Sequence, residues 1–170
     1  GSNLNLFGRR EPHIYGTTTL AEINSQLARL ADELGVTLAT LQSNHEGALI
    51  DFLHEHIDAA DGAIVNPAGL TQHGVPLHDA IKAMPFPVIE VHMSNLATRE
   101  TWRHHSIISP AVKGTIQGLG RHSYLQALRA IVAIAQHHVE RAGRDELPGP
   151  APAHAMQRMR AVVEIGLGAV

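Results

Sequence analysis

The sequence predicts an α/β protein with a doubly wound parallel sheet in a single domain. Short apolar segments alternate along the chain with amphipathic segments at helical spacing, which is the pattern of βα units. The chain has 170 residues, of which 44% are hydrophobic and 17% charged. That is enough for one domain with a substantial core, and it is typical of a globular protein.

The composition argues against several classes of protein. Cysteine is absent, which excludes disulfides and thiolate chemistry and fits a cytoplasmic location. The formal net charge of -3 gives no general affinity for nucleic acid or an anionic membrane. No apolar run approaches the roughly 18 residues of a membrane span. The 13 histidines show no His-x-x-x-His or His-Glu-x-x-His spacing, so we expect no metal site.

Local signals place the elements in order. Residues 19–22 form a capping box, apolar residues follow at helical spacing, and Gly35 ends that helix. Residues 1–16 are expected to form a mobile loop or flap, because turn formers and glycines bound a basic segment. The other expected elements are strand 36–41, helix 49–57, strand 63–65, helix 76–83, a strand from residue 88, a short helix at 99–105, a strand at 112–116 and a long helix at 124–139.

The stretch around residues 88–95 is where we expect chemistry. It begins as an apolar strand and then turns polar, and open α/β sheets usually place their sites at such carboxyl ends. Glu90 and His92 are two residues apart, so both side chains point to one face of the strand. A carboxylate beside an imidazole fixes its tautomer and favours its protonated form, which suits a proton donor. A solvated strand end is the alternative. Polar residues also follow the earlier strands, at Asn44 and Asn66.

Two regions differ in composition. Residues 1–142 are expected to form the catalytic domain, and residues 143–170 a Pro-rich linker with a C-terminal extension. Residues 156–170, which end in an apolar stretch at 161–170, fit a short helix and strand or a tail that binds a partner.

Five motifs together resemble the type II 3-dehydroquinate dehydratases. They are GSNLNLFGRREPHIYG at 1–16, QSNHEG at 42–47, NPAGLT at 66–71, EVHMSN at 90–95 and RETWRHHS at 99–106, in the order and at the spacing of that family. The resemblance covers about residues 1–140. It implies a flavodoxin-like fold, no cofactor or metal, and a homo-oligomer in which trimers assemble to a dodecamer. The implied activity is reversible dehydration of 3-dehydroquinate to 3-dehydroshikimate, in the shikimate pathway or in quinate catabolism.

The resemblance also implies roles for single residues. Tyr15 would be the base, and the positive charge of Arg10 would favour ionisation of a phenol that is otherwise protonated at neutral pH. His92 would be the acid, oriented by Glu90, and Asn3 would hold a water that stabilises an enolate. Arg99 is expected to be structural, beside the flap. The expected substrate contacts are Asn66, Gln72, the Met93 backbone N–H, Ser94 and Arg103, with Asp79 reaching the flap of an adjoining subunit.

The sequence departs from the family in two ways. Gln72 stands where the family has a substrate-contacting histidine, and His78 where it has an arginine, which puts substrate identity or turnover in question. A catalytically weak paralogue that binds a related ligand or partner is therefore the alternative function. A flavin- or nucleotide-binding module is disfavoured, because no Gly-rich phosphate loop follows a strand.

The family's first strand is also missing before Gly1. An interior strand cannot be removed without stripping hydrogen-bond partners from its neighbours. We therefore hypothesise that residues 161–170 supply the strand. Two alternatives are that this tail docks on another subunit and that the sequence is permuted or edited.

Overall fold

A computed structural model describes residues 1–145 and 162–165, which form an α/β fold with one parallel sheet. The helices are α1 (Pro12–Tyr15), α2 (Leu20–Leu34), α3 (Glu46–Glu55), α4 (Val75–Ala83) and α5 (His122–Asp145). The strands are β1 (Leu38–Leu41), β2 (Gly62–Val65), β3 (Val88–His92), β4 (Gly114–Gln117) and β5 (Val162–Ile165). In the part of the chain described, no helix has the length and apolarity needed to cross a membrane.

The sheet has the strand order β1-β5-β2-β3-β4, and every pairing is parallel. β5 is therefore an interior strand: Val163 is in register with Ala39 of β1 on one side and with Ala63 of β2 on the other. The hypothesis that the C-terminal segment supplies a sheet strand is confirmed for residues 162–165. The Pro-rich segment at 147–153 and residues 166–170 lie outside the described residues.

Helices cover both faces of the sheet, as expected for a doubly wound fold. Ile64 of β2 packs in a core with α2 and α5, whereas its neighbours Ala63 and Val65 pack in a second core with α3 and α4. This alternation follows from the period of two along a strand. Both cores are fully closed at their centres, where Leu27 and Leu53 each have 0% of their surface exposed.

Local sequence explains α2 particularly well. Thr19 Oγ1 accepts from the Glu22 N–H while the Glu22 carboxylate accepts from the Thr19 N–H, so the predicted capping box is present. Gly35 ends the helix at φ 69°, a left-handed conformation that suits glycine.

Two expectations about local structure were wrong. The expected loop at residues 1–16 contains a 3₁₀ turn, Leu4–Leu6, and the short helix α1. Where a helix was expected at 99–105, the structure has only the 3₁₀ turn Thr101–Arg103, which follows another 3₁₀ turn at Leu96–Thr98. Both segments are held by contacts to distant parts of the chain, such as the Asn3 N–H bond to Asn44 Oδ1, and local periodicity does not report such contacts.

Candidate active site

The carboxyl edge of the sheet holds a hollow of about 260 Å³ beneath the N-terminal segment. The end of β3 contributes His92, Met93 and Ser94, and β2 is followed by Asn66. The N-terminal segment closes over them from above. The polar and charged residues that line the hollow are Ser2, Asn3, Arg10, Tyr15, Asn66, Gln72, His73, His92, Ser94, Arg99 and Arg103.

Glu90 lies behind His92 and is completely buried, with 0% of its surface exposed. Its Oε1 is 2.8 Å from His92 Nε2 and also accepts from Ser106 Oγ at 2.9 Å. Its Oε2 accepts from Ser109 Oγ, and Thr115 Oγ1 lies 3.4 Å away. Every one of these partners can donate to a carboxylate.

These donors keep Glu90 ionised. Burial acts to raise the pKa of Glu90, but the hydrogen bonds from His92, Ser109 and Ser106, together with the charge of His92, outweigh it, so the pKa lies below its ordinary value. A carboxylate acceptor requires the proton on His92 Nε2. The other ring nitrogen, Nδ1, is then the atom of His92 free to exchange a proton with a bound molecule.

Tyr15 is flanked by two guanidinium groups. Arg99 Nη1 donates to the Tyr15 hydroxyl at 3.0 Å and to Ser94 Oγ at 3.2 Å. The guanidinium carbons of Arg10 and Arg99 lie 5.0 and 5.5 Å from the centre of the Tyr15 ring. Positive charge this close stabilises a phenolate more than a phenol.

Arg99, expected to be a structural neighbour of the flap, makes the direct contact to the phenol oxygen. Burial acts to lower the pKa of Arg99, but Tyr15 and Glu100 outweigh it and raise the pKa above the usual arginine value. Arg10 is turned differently: its Nε and Nη2 donate to Glu11 Oε2 at 3.3 and 2.9 Å. The cation bonded to the phenol oxygen is therefore Arg99, 84 positions from Tyr15 along the chain, while Arg10 lies near the ring.

A second hollow of about 760 Å³ lies on the other side of Tyr15 and Arg99 and shares those walls. It is larger, but it is lined by Arg121, His122 and the glycine-rich turn before α5. His92, Arg10 and Asn66 line the smaller hollow. Tyr15 lines both hollows, and the larger one also includes His13, Glu100 and His122, but only the smaller one brings Tyr15 together with His92, the partner of Glu90. The smaller hollow is therefore the candidate active site.

Two asparagines that line this site form hydrogen bonds to other parts of the protein. The Asn3 backbone has φ 62°, and its N–H donates to Asn44 Oδ1 at 2.8 Å, which ties the N-terminal segment to the loop after β1. Asn66 is 3% exposed; its Nδ2 donates to the Tyr124 hydroxyl at 2.6 Å and its Oδ1 accepts from the Ala68 N–H at 3.1 Å. Much of the hydrogen-bonding capacity of Asn66 is thus used inside the protein.

Gln72 connects two segments that line the hollow. Its Nε2 approaches the carbonyl oxygens of Arg103 and His105 at 3.4 and 3.5 Å, while its Oε1 is buried without a hydrogen-bond partner among the described residues. The Arg103 guanidinium carbon stacks 4.0 Å from the centre of the Trp102 ring, and Arg103 Nε donates to Glu100 at 3.0 Å.

Asp79 is not brought to this hollow within one chain. It lies on α4 with 75% of its side chain exposed, and its Oδ1 is 3.0 Å from His78 Nδ1. Asp79 therefore faces outward, and its expected contact with an adjoining subunit stays a prediction.

Three contributors to the site have no local signal in the sequence: the Arg99 contact to Tyr15 and the hydroxyls of Ser109 and Thr115. Each acts on a partner at least 19 positions away, so spacing along the chain does not reveal them. Arg99 does lie inside one of the five motifs, which is the only indication of its importance in the sequence.

Comparison with known proteins identifies the family. Residues 1–132 match the family model for class II dehydroquinase. A 3-dehydroquinate dehydratase of Halothermothrix orenii is 49% identical over 134 residues, covering 79% of this chain and 90% of the relative. The 3-dehydroquinate dehydratase of Roseiflexus castenholzii is 54% identical over 128 residues, covering 75% of this chain and 82% of the relative.

Solved structures agree with the sequence matches. The type II dehydroquinase of Propionibacterium acnes superposes with a TM-score of 0.75 at 39% identity, covering 78% of this chain and 92% of that one. The type II dehydroquinase of Butyrivibrio crossotus gives a TM-score of 0.76 at 34% identity, covering 77% of this chain and 92% of that one.

Proposed function

This chain belongs to the class II dehydroquinase family, and from that premise we propose that it dehydrates 3-dehydroquinate reversibly with Tyr15 as the base and His92 as the acid. Relatives 49% and 50% identical are named 3-dehydroquinate dehydratase, so the chain is an enzyme of this kind, a hydro-lyase. The same relatives do not favour the alternative of a catalytically weak paralogue.

The first proposed step removes the proton next to the substrate ketone. The Tyr15 phenolate takes this proton, and the C–H electron pair forms an enolate. The hydrogen bond from Arg99 to the phenol oxygen supports the assignment, because it stabilises the reactive, ionised base. A water held near Asn3 is proposed to stabilise the enolate oxygen.

The second proposed step expels the hydroxyl. The enolate collapses to a carbon–carbon double bond, the C–O bond breaks, and protonated His92 gives its Nδ1 proton to the departing oxygen, which leaves as water. The buried Glu90 carboxylate supports this role because it occupies Nε2, which leaves Nδ1 of this hollow-lining residue for the substrate. Ser94, the Met93 N–H and Arg103 are proposed to bind the substrate, with Asn66 and Gln72 shaping the wall.

The observation that carries the proposal is the placement of Tyr15 and His92 in one hollow, each with its own charged partner. Tyr15→Phe is the test, with formation of the conjugated product followed by ultraviolet absorbance. We expect a loss greater than the roughly 10²–10⁴-fold attached to general base catalysis, because no second base replaces the phenol.

Binding of a substrate analogue, measured by calorimetry on the same variant, is the control, and it should persist because the ring remains. Activity of Tyr15→Phe within tenfold of the unsubstituted enzyme would end the assignment of Tyr15 as base.

We further propose that the chain assembles as trimers and then as a dodecamer. The resemblance of the five motifs to the type II 3-dehydroquinate dehydratases carries this proposal. Val75 on α4, Trp102 and Leu119, which are 58%, 60% and 54% exposed in the single chain, are the apolar side chains that assembly would be expected to cover. Native mass spectrometry would show a twelve-subunit species, and a stable monomer would contradict the proposal.

The cytoplasmic location and the role in the shikimate pathway can be tested by rescue of a dehydratase-deficient strain on medium without aromatic amino acids.

A further inference from the structure

Three hydroxyls bonded to Glu90 take no part in the proposed steps. Ser106 Oγ donates to Oε1, the oxygen that also contacts His92, whereas Ser109 and Thr115 approach Oε2. All three residues line a separate, outer hollow of about 350 Å³ that includes His104 and Gln117. The Glu90–His92 pair thus borders the substrate hollow through His92 and the outer hollow through the residues that carry these hydroxyls.

The three hydroxyls are not equivalent. Ser106 Oγ accepts from the backbone N–H groups of Ile108 and Ser109 at 3.1 and 3.0 Å while it donates to Glu90, so it also holds the local turn. Ser109 Oγ has Glu90 Oε2 and, at 3.4 Å, Thr115 Oγ1 as its partners. Ser109 and Thr115 are therefore the hydroxyls whose contacts here are directed at the carboxylate.

We propose that Ser109 and Thr115 are positioning residues that strengthen the Glu90–His92 pair as an acid by stabilising the Glu90 carboxylate. The inference deepens the proposed function and rests on it where catalysis is concerned.

The direction of the effect follows from the states of the pair. When the pair has lost its mobile proton, Glu90 is a carboxylate facing a neutral imidazole; when it holds the proton, the proton can reside on either partner. Hydrogen-bond donors to Oε2 stabilise the pair whenever Glu90 is a carboxylate. They do not stabilise the protonated pair when its proton resides on Glu90, because the carboxyl group is then neutral. Removing them therefore makes the pair hold its proton more tightly, and its titration midpoint rises.

Other charged groups face the pair and must stay constant in the test. Tyr15, Arg10, Arg99, Arg103 and His73 line the substrate hollow, and His104 lines the outer one. On the sheet, Glu90 is in register with Val65 of β2 and Thr115 of β4, of which only Thr115 is polar. Substitution of Ser109 or Thr115 leaves all of the charged groups in place.

The experiment measures the pair in two ways. Ser109→Ala and Thr115→Val are compared with the unsubstituted enzyme by the pH profile of kcat and by NMR titration of the His92 imidazole, assigned with His92→Asn. Since a hydrogen bond to a charged group is strong, we expect Ser109→Ala to raise the basic limb and the NMR midpoint by roughly one pH unit and to lower kcat roughly tenfold. Thr115→Val should move both by a smaller amount in the same direction.

Two controls separate this role from a structural one. Thr115→Ser keeps the hydroxyl and should retain the original midpoint. Ser25→Ala removes a hydroxyl that bonds Ala21 on α2, far along the chain, and should change neither readout. If Ser109→Ala does not fold, the comparison of Thr115→Val with Thr115→Ser decides the question.

Unmoved midpoints in the folded variants would overturn the proposal. The NMR titration does not depend on turnover. If the unsubstituted chain fails to dehydrate 3-dehydroquinate, the proposed function falls, while the effect of the hydroxyls on the pair is still decided by the midpoints.

Discussion

Tyr15 differs from a tyrosine in contact with water alone, because its hydroxyl accepts a hydrogen bond from the guanidinium group of Arg99. Arg99 Nη1 is 3.0 Å from that oxygen, whereas the Arg10 guanidinium carbon lies 5.0 Å from the ring centre and its nitrogens are bonded to Glu11. We expect Arg99→Ala to lower kcat by roughly 10²-fold or more, because the proposed base then loses the hydrogen bond that its oxygen accepts. Steady-state rates with 3-dehydroquinate measure the loss.

Arg10→Ala is the matched comparison for Arg99→Ala. It removes an equal charge without removing the hydrogen bond to Tyr15, so its effect on kcat should be smaller. A larger loss of kcat for Arg10→Ala than for Arg99→Ala would contradict this division of roles.

Gln72 offers a second prediction at the scale of one residue. Its Oε1 is buried without a partner in the described part of the chain, and its Nε2 contacts to two carbonyl oxygens are long. We expect Gln72→His to raise kcat/KM for 3-dehydroquinate, because one good polar contact to the substrate contributes about 1–3 kcal/mol. Gln72→Leu removes the amide without adding a donor and should give no such gain. An unchanged kcat/KM in Gln72→His would show that position 72 does not contact substrate.

Among single residues, sequence reasoning identified the pair Glu90 and His92 because both lie on one face of one strand, and the structure joins them at 2.8 Å. It did not foresee the contact between Arg99 and Tyr15, because that contact joins positions 84 apart and depends on how the N-terminal segment folds over the sheet. Spacing along a chain reports neighbours on one element. It carries no information about partners that tertiary packing brings together.

At the scale of elements, one helix is capped by another. The first turn of α4 begins after Gly74, which has no side chain to cap it, and Glu46 of α3 accepts from the Leu77 N–H at 3.1 Å instead. We expect Glu46→Ala to lower the free energy of unfolding by about 1 kcal/mol, the usual contribution of an N-terminal cap. Urea denaturation measures the change.

Two further variants locate the source of that loss. Glu46→Gln keeps an acceptor for the Leu77 N–H and should lose less, while Glu55→Ala, at the exposed end of α3, should be nearly neutral. If Glu55→Ala costs as much as Glu46→Ala, the cap is not the cause.

Elements with local signals were predicted well, and those without them were not. α2 carries its own cap and apolar stripe, and the structure reproduces both. A short helix was predicted at 99–105, but the structure has the 3₁₀ turns Leu96–Thr98, Thr101–Arg103 and Ser109–Ala111 in this region. The first turn is capped by Asn95 Oδ1, which accepts from the Ala97 N–H, and the Ile107 N–H donates to the Thr71 carbonyl. Hydrogen bonds of this kind leave no periodic trace in a sequence.

At the scale of the whole molecule, the sheet depends on β5. Val163 is paired on both sides, so Val163→Pro removes a backbone donor from an interior strand. We expect it to lower the free energy of unfolding by about 3 kcal/mol or more and to reduce hydrogen-exchange protection of β1 and β2. Val163→Thr keeps the backbone N–H and the branched side chain. It should therefore lose less free energy of unfolding and less hydrogen-exchange protection of β1 and β2 than Val163→Pro. Normal protection of β1 and β2 in Val163→Pro would mean that β5 does not hold them.

The interior position of β5 has a consequence for biosynthesis. Its partner in β2 lies about 100 residues earlier in the chain, and its partner in β1 lies further still. During vectorial synthesis on the ribosome, β1 and β2 therefore emerge long before the strand that separates them. Contacts this distant in sequence slow folding, because the loop between them must close first. The nascent chain consequently spends its synthesis with two open sheet edges facing each other, the state in which chaperones and other copies of the chain find strands to bind.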